Sequence, residues 1–284
     1  MKLYLITDME GVAGVYDWRS CSAGSVRYEK CRELLTREVN AAAAGFFEGG
    51  ISEIEVQIGH HYDSIDCELL DERLVLRNGH CRPVWPWGLD EGFNALAFVG
   101  QHAKAGAPFA HLAHTGCEMV IDLRVNGLSI GEYGSLALCA MELGIPTIFA
   151  SGDEALCREA EALTPGVVTV AGKRGLANDD GYTKKLTEEE YSTVNLGARS
   201  LHPSCVRRML YAGARHAAEL YFTNRTSFRY PNLKKPFSLR EEYRSKNGEK
   251  PFALEATSFS FIVCKNMLRD LIYNPASRLP LEIP

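Results

Sequence analysis

Short apolar runs alternate with stretches of helical period along this chain, and the polar residues of chemical interest fall where the apolar runs stop. Leu3-Tyr4-Leu5-Ile6-Thr7 is apolar and β-prone, as a strand buried on both faces should be, and it ends at Asp8-Met9-Glu10-Gly11. From about Arg27 to Glu48, Leu34, Leu35, Val39, Ala42 and Phe46 recur on one side of a predicted helix, which Gly49-Gly50 stops. Ile51 to Ile58 predicts the next strand and leads into Gly59-His60-His61; Ala95 to Gly100 predicts another and leads into Gln101-His102. Asn126-Gly127, between Glu118–Val125 and Leu128–Ile130, predicts a hairpin because both turn positions tolerate positive φ. Gly131-Glu132 precedes a helix over Tyr133 to Leu143 closed by Gly144, and Ile145 to Ala150 is a strand delivering Ser151-Gly152-Asp153.

Beyond that point the pattern changes. Asp179 to Glu190 is polar and charged, which predicts an exposed loop or lid. Pro203 to Leu220 reads as a helix, Phe237–Tyr243 and Pro251–Val263 as strands, and Met267–Tyr273 as a last helix. The expected fold class is α/β: a three-layer α/β/α domain with a mainly parallel sheet over residues 1–195, and a smaller α+β portion over residues 196–284 that packs against it and aids assembly.

At 284 residues and 46% hydrophobic composition, the chain can bury one sizeable core with a smaller unit beside it. A formal net charge of -5, with no excess of basic residues, argues against a nucleic-acid partner. The run Leu3–Ile6 is cut off by Asp8 and cannot act as a signal-peptide core, and no later stretch is apolar for the length of a membrane span. The expectation is a cytoplasmic protein with no membrane association. Nine cysteines without a C-x-x-C pair fit a reducing compartment and small buried thiols better than a disulfide framework or a cysteine zinc site. Cys117, near His114, is the one candidate thiol nucleophile, second to a packing role.

Asp8 and Glu10, His60, and His102 each lie just past the carboxyl end of a predicted buried strand, the edge at which open α/β sheets bind ligands. Carboxylates with imidazoles suit zinc or a similar divalent ion, and Glu132 is a further candidate ligand. Each residue also has a plain structural reading. Asp8 could cap a turn, His60 and His102 could be ordinary loop histidines, and Glu132 could sit in its helix's first turn because acids favour it. No H-E-x-x-H motif is present, so metal binding depends on the strands converging.

Beyond these positions the chain resembles the zinc-dependent D-aminopeptidases associated with dipeptide transport operons. The resemblance runs from Met-Lys-Leu-Tyr at Met1 and Asp8-Met9-Glu10-Gly11 through Gly100-Gln101-His102-Ala103-Lys104-Ala105, His114-Thr115, Gly131-Glu132 and Pro146 to Asp153. It implies two zinc ions held by Asp8, Glu10, His60, His102 and Glu132, with Asp8 bridging, and His114 as the catalytic histidine. It also implies short peptides as substrates and a ring-like homo-oligomer, a decamer, enclosing its active sites. His111 competes with His114 and His61 with His60; the resemblance selects His114 and His60. Gln57-Ile58-Gly59 stands where the family usually has Asn-Asp-Ser, and the charged stretch before Arg199-Ser200 is an insertion after Lys173, which puts any substrate-binding role of Lys173 and Arg199 in question. The leading expectation is therefore a metal-dependent aminopeptidase. A metal-dependent amidase and a non-catalytic peptide-binding or assembly protein are the alternatives; a nucleotide-binding fold is disfavoured because Asp8-Met9-Glu10-Gly11 puts acids where a phosphate turn needs backbone amides.

Overall fold

The first strand, β1 (Lys2–Thr7), sends Leu3 and Leu5 into one core and Tyr4 and Ile6 into another, so its unbroken apolar run reflects burial on both faces. The protein is described here by a computed structural model that covers residues 1–283. After β1 come the short helix α1 (Trp18–Cys21), the long α2 (Val26–Glu48), β2 (Glu53–Ile58), β3 (Val75–Arg77) and β4 (Ala95–Gln101). The hairpin β5 (Val120–Val125) and β6 (Leu128–Ile130) follows, then α3 (Glu132–Glu142), β7 (Thr147–Asp153), α4 (Glu154–Leu163) and β8 (Val168–Gly175). The remainder holds α5 (Glu188–Tyr191), β9 (Ala198–Ser200), α6 (Pro203–Thr223), β10 (Phe237–Tyr243), β11 (Phe252–Ser258), α7 (Phe261–Leu271) and β12 (Leu279–Pro280).

Seven strands form one sheet in the order β3-β2-β1-β4-β7-β8-β9, parallel except for β9. Helices α2 and α6 pack on each other and bury Leu35, Val39, Phe46, Leu210 and Ala214 with Leu3, Leu5 and Val99 on one face of that sheet. On the other face, Tyr4, Leu96 and Phe98 meet α3, α4 and a second, antiparallel sheet of order β12-β11-β10-β5-β6. The result is the mixed α/β architecture expected, with a mainly parallel sheet between helical layers. The antiparallel sheet takes β5 and β6 from residues 120–130 and its other strands from beyond residue 236, while α6 covers the parallel sheet. Among the described residues, no helix is long and apolar enough to cross a membrane.

Three local expectations change. The strand expected to run to Val263 stops at Ser258, because the Ser260 hydroxyl caps a helix by accepting the Val263 N–H at 3.1 Å, so Phe261 opens α7 instead. Asp153 does the same for α4, accepting the Leu156 N–H at 2.8 Å; α4 and β8 went unassigned in the sequence.

The third concerns the charged stretch, which is not a free lid. Lys173 pairs with Ser200 and Arg174 with Arg199 across β8 and β9, so the excursion leaves and re-enters the sheet at one place. In between, Asp179, Thr183, Tyr191 and Asn195 are buried; Thr183 donates to the Asp179 carboxylate, and Tyr191 donates to the Ala113 carbonyl, partners that charge counting does not reveal.

Candidate metal centre

Strand order reverses between β1 and β4: β2 and β3 lie on one side, β7 and β8 on the other. The crevice at the carboxyl ends of such a pair is the natural binding site of an open α/β sheet. Asp8 follows β1, His60 lies two residues past β2, His102 follows β4, and Glu132 is the first residue of α3. Two glycines permit the close approach. A Cβ on Gly11 would collide with the Gln101 carbonyl, and one on Gly100, whose φ is +78°, with the Asp8 carbonyl. The backbone is tied there by Asp8 N–H to the Val99 carbonyl at 2.9 Å and Gly11 N–H to the Gly100 carbonyl at 2.8 Å.

The structure brings together all five residues that the sequence singled out as ligands. His60 Nδ1 lies 3.3 Å from Asp8 Oδ1 and 3.2 Å from Glu10 Oε2. His102 Nε2 lies 3.3 Å from Asp8 Oδ2 and 3.3 Å from Glu132 Oε1. Asp8 thus turns one oxygen to each histidine. Each imidazole has its other nitrogen fixed by backbone, His60 Nε2 by the Cys21 carbonyl at 2.7 Å and His102 Nδ1 by the Ala103 carbonyl at 2.9 Å. This is the arrangement that aims a histidine's free nitrogen at a metal. Glu132, placed to stabilise its own helix, instead accepts the Gly116 N–H at 2.7 Å and reaches across to His102.

His114 completes the cluster. Its ring stacks on His102 with centroids 3.8 Å apart and an interplanar angle of 15°. Nδ1 is bonded to the Leu112 carbonyl at 3.0 Å, which leaves Nε2 3.7 Å from Glu132 Oε1. The edge of Trp18 holds its other side, 5.3 Å between centroids.

Three converging carboxylates, the buried Asp8 and Glu10 and the half-buried Glu132, are an electrostatic problem. Burial, with Glu10 adding to it, pushes Asp8 up to about 7. Burial opposes the charges of His60 and Glu132 too, yet Glu10 and Asp8 hold His60 at about 11, and His102 keeps Glu132 down at about 2. Burial and the neighbouring His102 charge push His114 below the usual histidine value. The cluster therefore demands positive charge. Glu10 Oε2 and His102 Nε2 are buried without a hydrogen-bond partner, which is how ligand atoms look when the atom they serve is a cation. Two groups meet the spacing for a metal, Asp8-Glu10-His102 and His102-His114-Glu132, and their carboxylate and imidazole donors suit zinc.

The competing residues separate cleanly. His111 is buried away from the cluster, with Nε2 3.1 Å from the Tyr16 carbonyl and its backbone N–H on Asp153. His61 is exposed and meets the rings of His60 and Tyr28 edge-on, with centroids 4.4 and 6.3 Å away. Cys117 lines the cavity, and burial raises its thiol, which disfavours a thiolate. Lys173 and Arg199 line a different cavity, and Lys173 donates to the Val15 carbonyl at 3.0 Å. Gln101, named in the sequence only within the Gly100–Ala105 segment and given no role there, donates its amide to Asp8 Oδ2 at 2.6 Å.

Three adjoining cavities reach the cluster or its rim. One of about 190 Å³ lies against Asp8 and Glu132 beneath Trp85 and Trp87, one of about 350 Å³ is lined by His60, His114 and Trp18, and one of about 280 Å³ runs outward past Trp85 to Tyr273.

Known proteins resemble this chain in sequence and in fold. The profile of the D-aminopeptidases of peptidase family M55 matches residues 1–248. A D-aminopeptidase of Bacillus subtilis (strain 168) is 32% identical over 179 residues, which make up 62% of this chain and 65% of that protein, so the matched stretch spans less than two thirds of the relative. In structure, the chain is similar to the zinc-dependent D-aminopeptidase DppA from Bacillus subtilis, a self-compartmentalizing protease. The TM-score is 0.78 at 23% identity, over 97% of this chain and 99% of that one.

Proposed function

The chain belongs to the D-aminopeptidase family of peptidase family M55, and on that premise we propose that it is a zinc-dependent aminopeptidase removing the N-terminal residue from short peptides, D-residues included. The observation that carries the reading is Asp8, whose two oxygens face different histidines, His60 with Glu10 on one side and His102 with Glu132 on the other. That division supports two ions per subunit, for which Asp8, Glu10, His60, His102 and Glu132 would be the ligands. When bound, zinc supplies Lewis acidity that makes water nucleophilic near neutral pH and offsets charge on the carbonyl oxygen.

The chain's own groups account for the rest. Asp8, Glu10, His60, His102 and Glu132 would hold the metals, and Gln101, through its hydrogen bond to Asp8 Oδ2, fixes the rotation of that carboxylate. His114 has Nδ1 on the Leu112 carbonyl and Nε2 directed toward Glu132. It can therefore accept a proton from the attacking water at Nε2 and pass it to the leaving amine.

Unpaired thiols at all nine cysteines support a reducing, cytoplasmic setting. The description of the structural relative as self-compartmentalizing supports a closed homo-oligomer, for which the family resemblance suggests ten copies. The test is elemental analysis of protein purified without added metal, alongside hydrolysis of D- and L-dipeptides. Zinc near two per chain, with release of N-terminal residues, is the expected result. Zinc-replete protein that cleaves no short peptide of either configuration would overturn it.

A further inference from the structure

The cavity of about 190 Å³ beside the cluster has a polar end and an apolar body. Asp8, Gln101 and Glu132 form the first; Ile6, Phe98, Leu136, Trp85 and Trp87 form the second. The lining follows from the fold. Ile6 precedes Asp8 by two residues and so shares its face of the sheet, and Leu136 lies one turn after Glu132 on the same side of α3. Phe98 is four residues before His102 on β4.

Its roof is built to stay in place. Trp85 exchanges two hydrogen bonds with the Asn266 amide of α7, N–H to Oδ1 at 3.1 Å and carbonyl from Nδ2 at 3.0 Å. The Trp87 carbonyl accepts the Tyr4 hydroxyl of β1. Lys265 Nζ lies over the Trp85 ring, 4.7 Å from its centroid. Trp87 itself has φ of +60°, a backbone conformation that a bulky residue adopts only when its surroundings impose it.

The cavity is also the most enclosed of the three. Of the residues lining it, only Gly116 is exposed, whereas the cavities of about 350 and 280 Å³ open past exposed Ser22 and His61 or Ile272 and Tyr273. A peptide cleaved at the cluster runs out most easily through the more open sides, which leaves the most enclosed one to its terminal residue. No lysine or arginine lines this cavity, so an acidic side chain would find no counter-charge there. A cavity of roughly 150 Å³ lined by aliphatic and aromatic side chains is already large enough for benzene.

We propose that this cavity is the specificity pocket of the enzyme, and that it selects peptides whose N-terminal residue is a large, uncharged apolar one, aromatic or branched aliphatic. The assignment rests on the aminopeptidase reading for its chemistry but on the cavity alone for its ligand. An alanine side chain leaves most of the apolar wall without contact, and a difference of several methylene groups is worth at least tenfold in selection, since one alone gives roughly 10–200-fold.

Two readouts separate the pocket from the reaction. The first is tryptophan fluorescence of the zinc-replete protein, titrated with phenylalanine amide, leucine amide, alanine amide and aspartic acid amide in both configurations. The second is kcat/KM for dipeptides carrying the same N-terminal residues. Phenylalanine amide and leucine amide should bind at least tenfold more tightly than alanine amide, and kcat/KM should follow the same order. Leu136→Trp, which fills the cavity, and Trp87→Ala, which removes its roof, should each cut the phenylalanine-to-alanine ratio about tenfold. Should one variant fail to fold, the other decides. Preference for alanine substrates, or a ratio that neither variant moves, overturns the pocket while leaving the aminopeptidase intact. Tight phenylalanine amide binding by a protein that hydrolyses nothing would uphold the pocket and defeat the reaction.

Discussion

The charged stretch between β8 and β9 should act on catalysis through the hydroxyl of Tyr191. Tyr191 is 1% exposed, and its hydroxyl donates to the Ala113 carbonyl at 2.5 Å, one residue before His114. The same loop accepts the Leu112 N–H on the Asn195 carbonyl at 3.2 Å and the Phe109 N–H on the Ala177 carbonyl at 2.8 Å. Arg244 clamps it from behind: its guanidinium stacks over the Tyr191 ring at 3.9 Å, and Nη1 donates to the Thr183 carbonyl at 2.7 Å.

Tyr191→Phe keeps the ring and that stacking but removes the hydroxyl. A buried carbonyl deprived of its partner costs about 1–3 kcal/mol. The part of that cost expressed as misplacement of His114 slows the reaction tenfold for every 1.4 kcal/mol or so. We expect a lower melting temperature together with a kcat reduced about 5–50-fold, little change in KM, and metal content equal to that of the parent. Thermal unfolding, elemental analysis and steady-state kinetics on one preparation measure all four. If stability falls by that amount while kcat stays at the parental value, the stretch braces the fold without positioning His114, and the reasoning is wrong.

Further expectations follow from other groups. Asp8→Asn should lower bound zinc and cost more activity than the roughly 10–100-fold typical of an outer-shell change, whereas Gln101→Leu should stay within that range, as measured by metal titration and kcat. Chelation should lower the melting temperature, and zinc restored to about a thousandfold above its Kd should return about 4 kcal/mol; a melting point indifferent to zinc would argue against a cluster formed in the folded state. Burial, with Lys173 nearby, holds His111 down at about 4, below the ordinary value of 6.5. The unfolded chain therefore takes up this proton first, so stability falls as pH drops from about 6.5 toward 4, by about 1.4 kcal/mol per pH unit. Substituting His111→Gln should flatten the melting temperature over that interval relative to the parent, and parallel slopes would show that His111 is not buried neutral.

Much of this was legible along the chain because it depends on local period. The run Leu3–Thr7, the helix over residues 26–48 and the Asn126-Gly127 hairpin are each set by side chains within one element, and the positions of Asp8, Glu10, His60 and His102 at strand ends follow from where the apolar runs stop. The Phe261–Val263 segment was misjudged because a β-prone composition there is overruled by one serine cap. Tertiary structure alone decided the rest. That Asp8 lies between two histidines depends on β4, not β2, being the neighbour of β1 on the side away from β3, and on two glycines letting backbones nearly touch. Whether a charged stretch is a lid or a brace depends on partners such as Ala113 and Arg244, 78 and 53 residues from Tyr191, and no periodicity within the stretch encodes them. Sequence fixes what each segment prefers. Packing chooses which segments meet, because the free energy of burying Tyr191 or pairing Asp8 exists only once both surfaces are in contact.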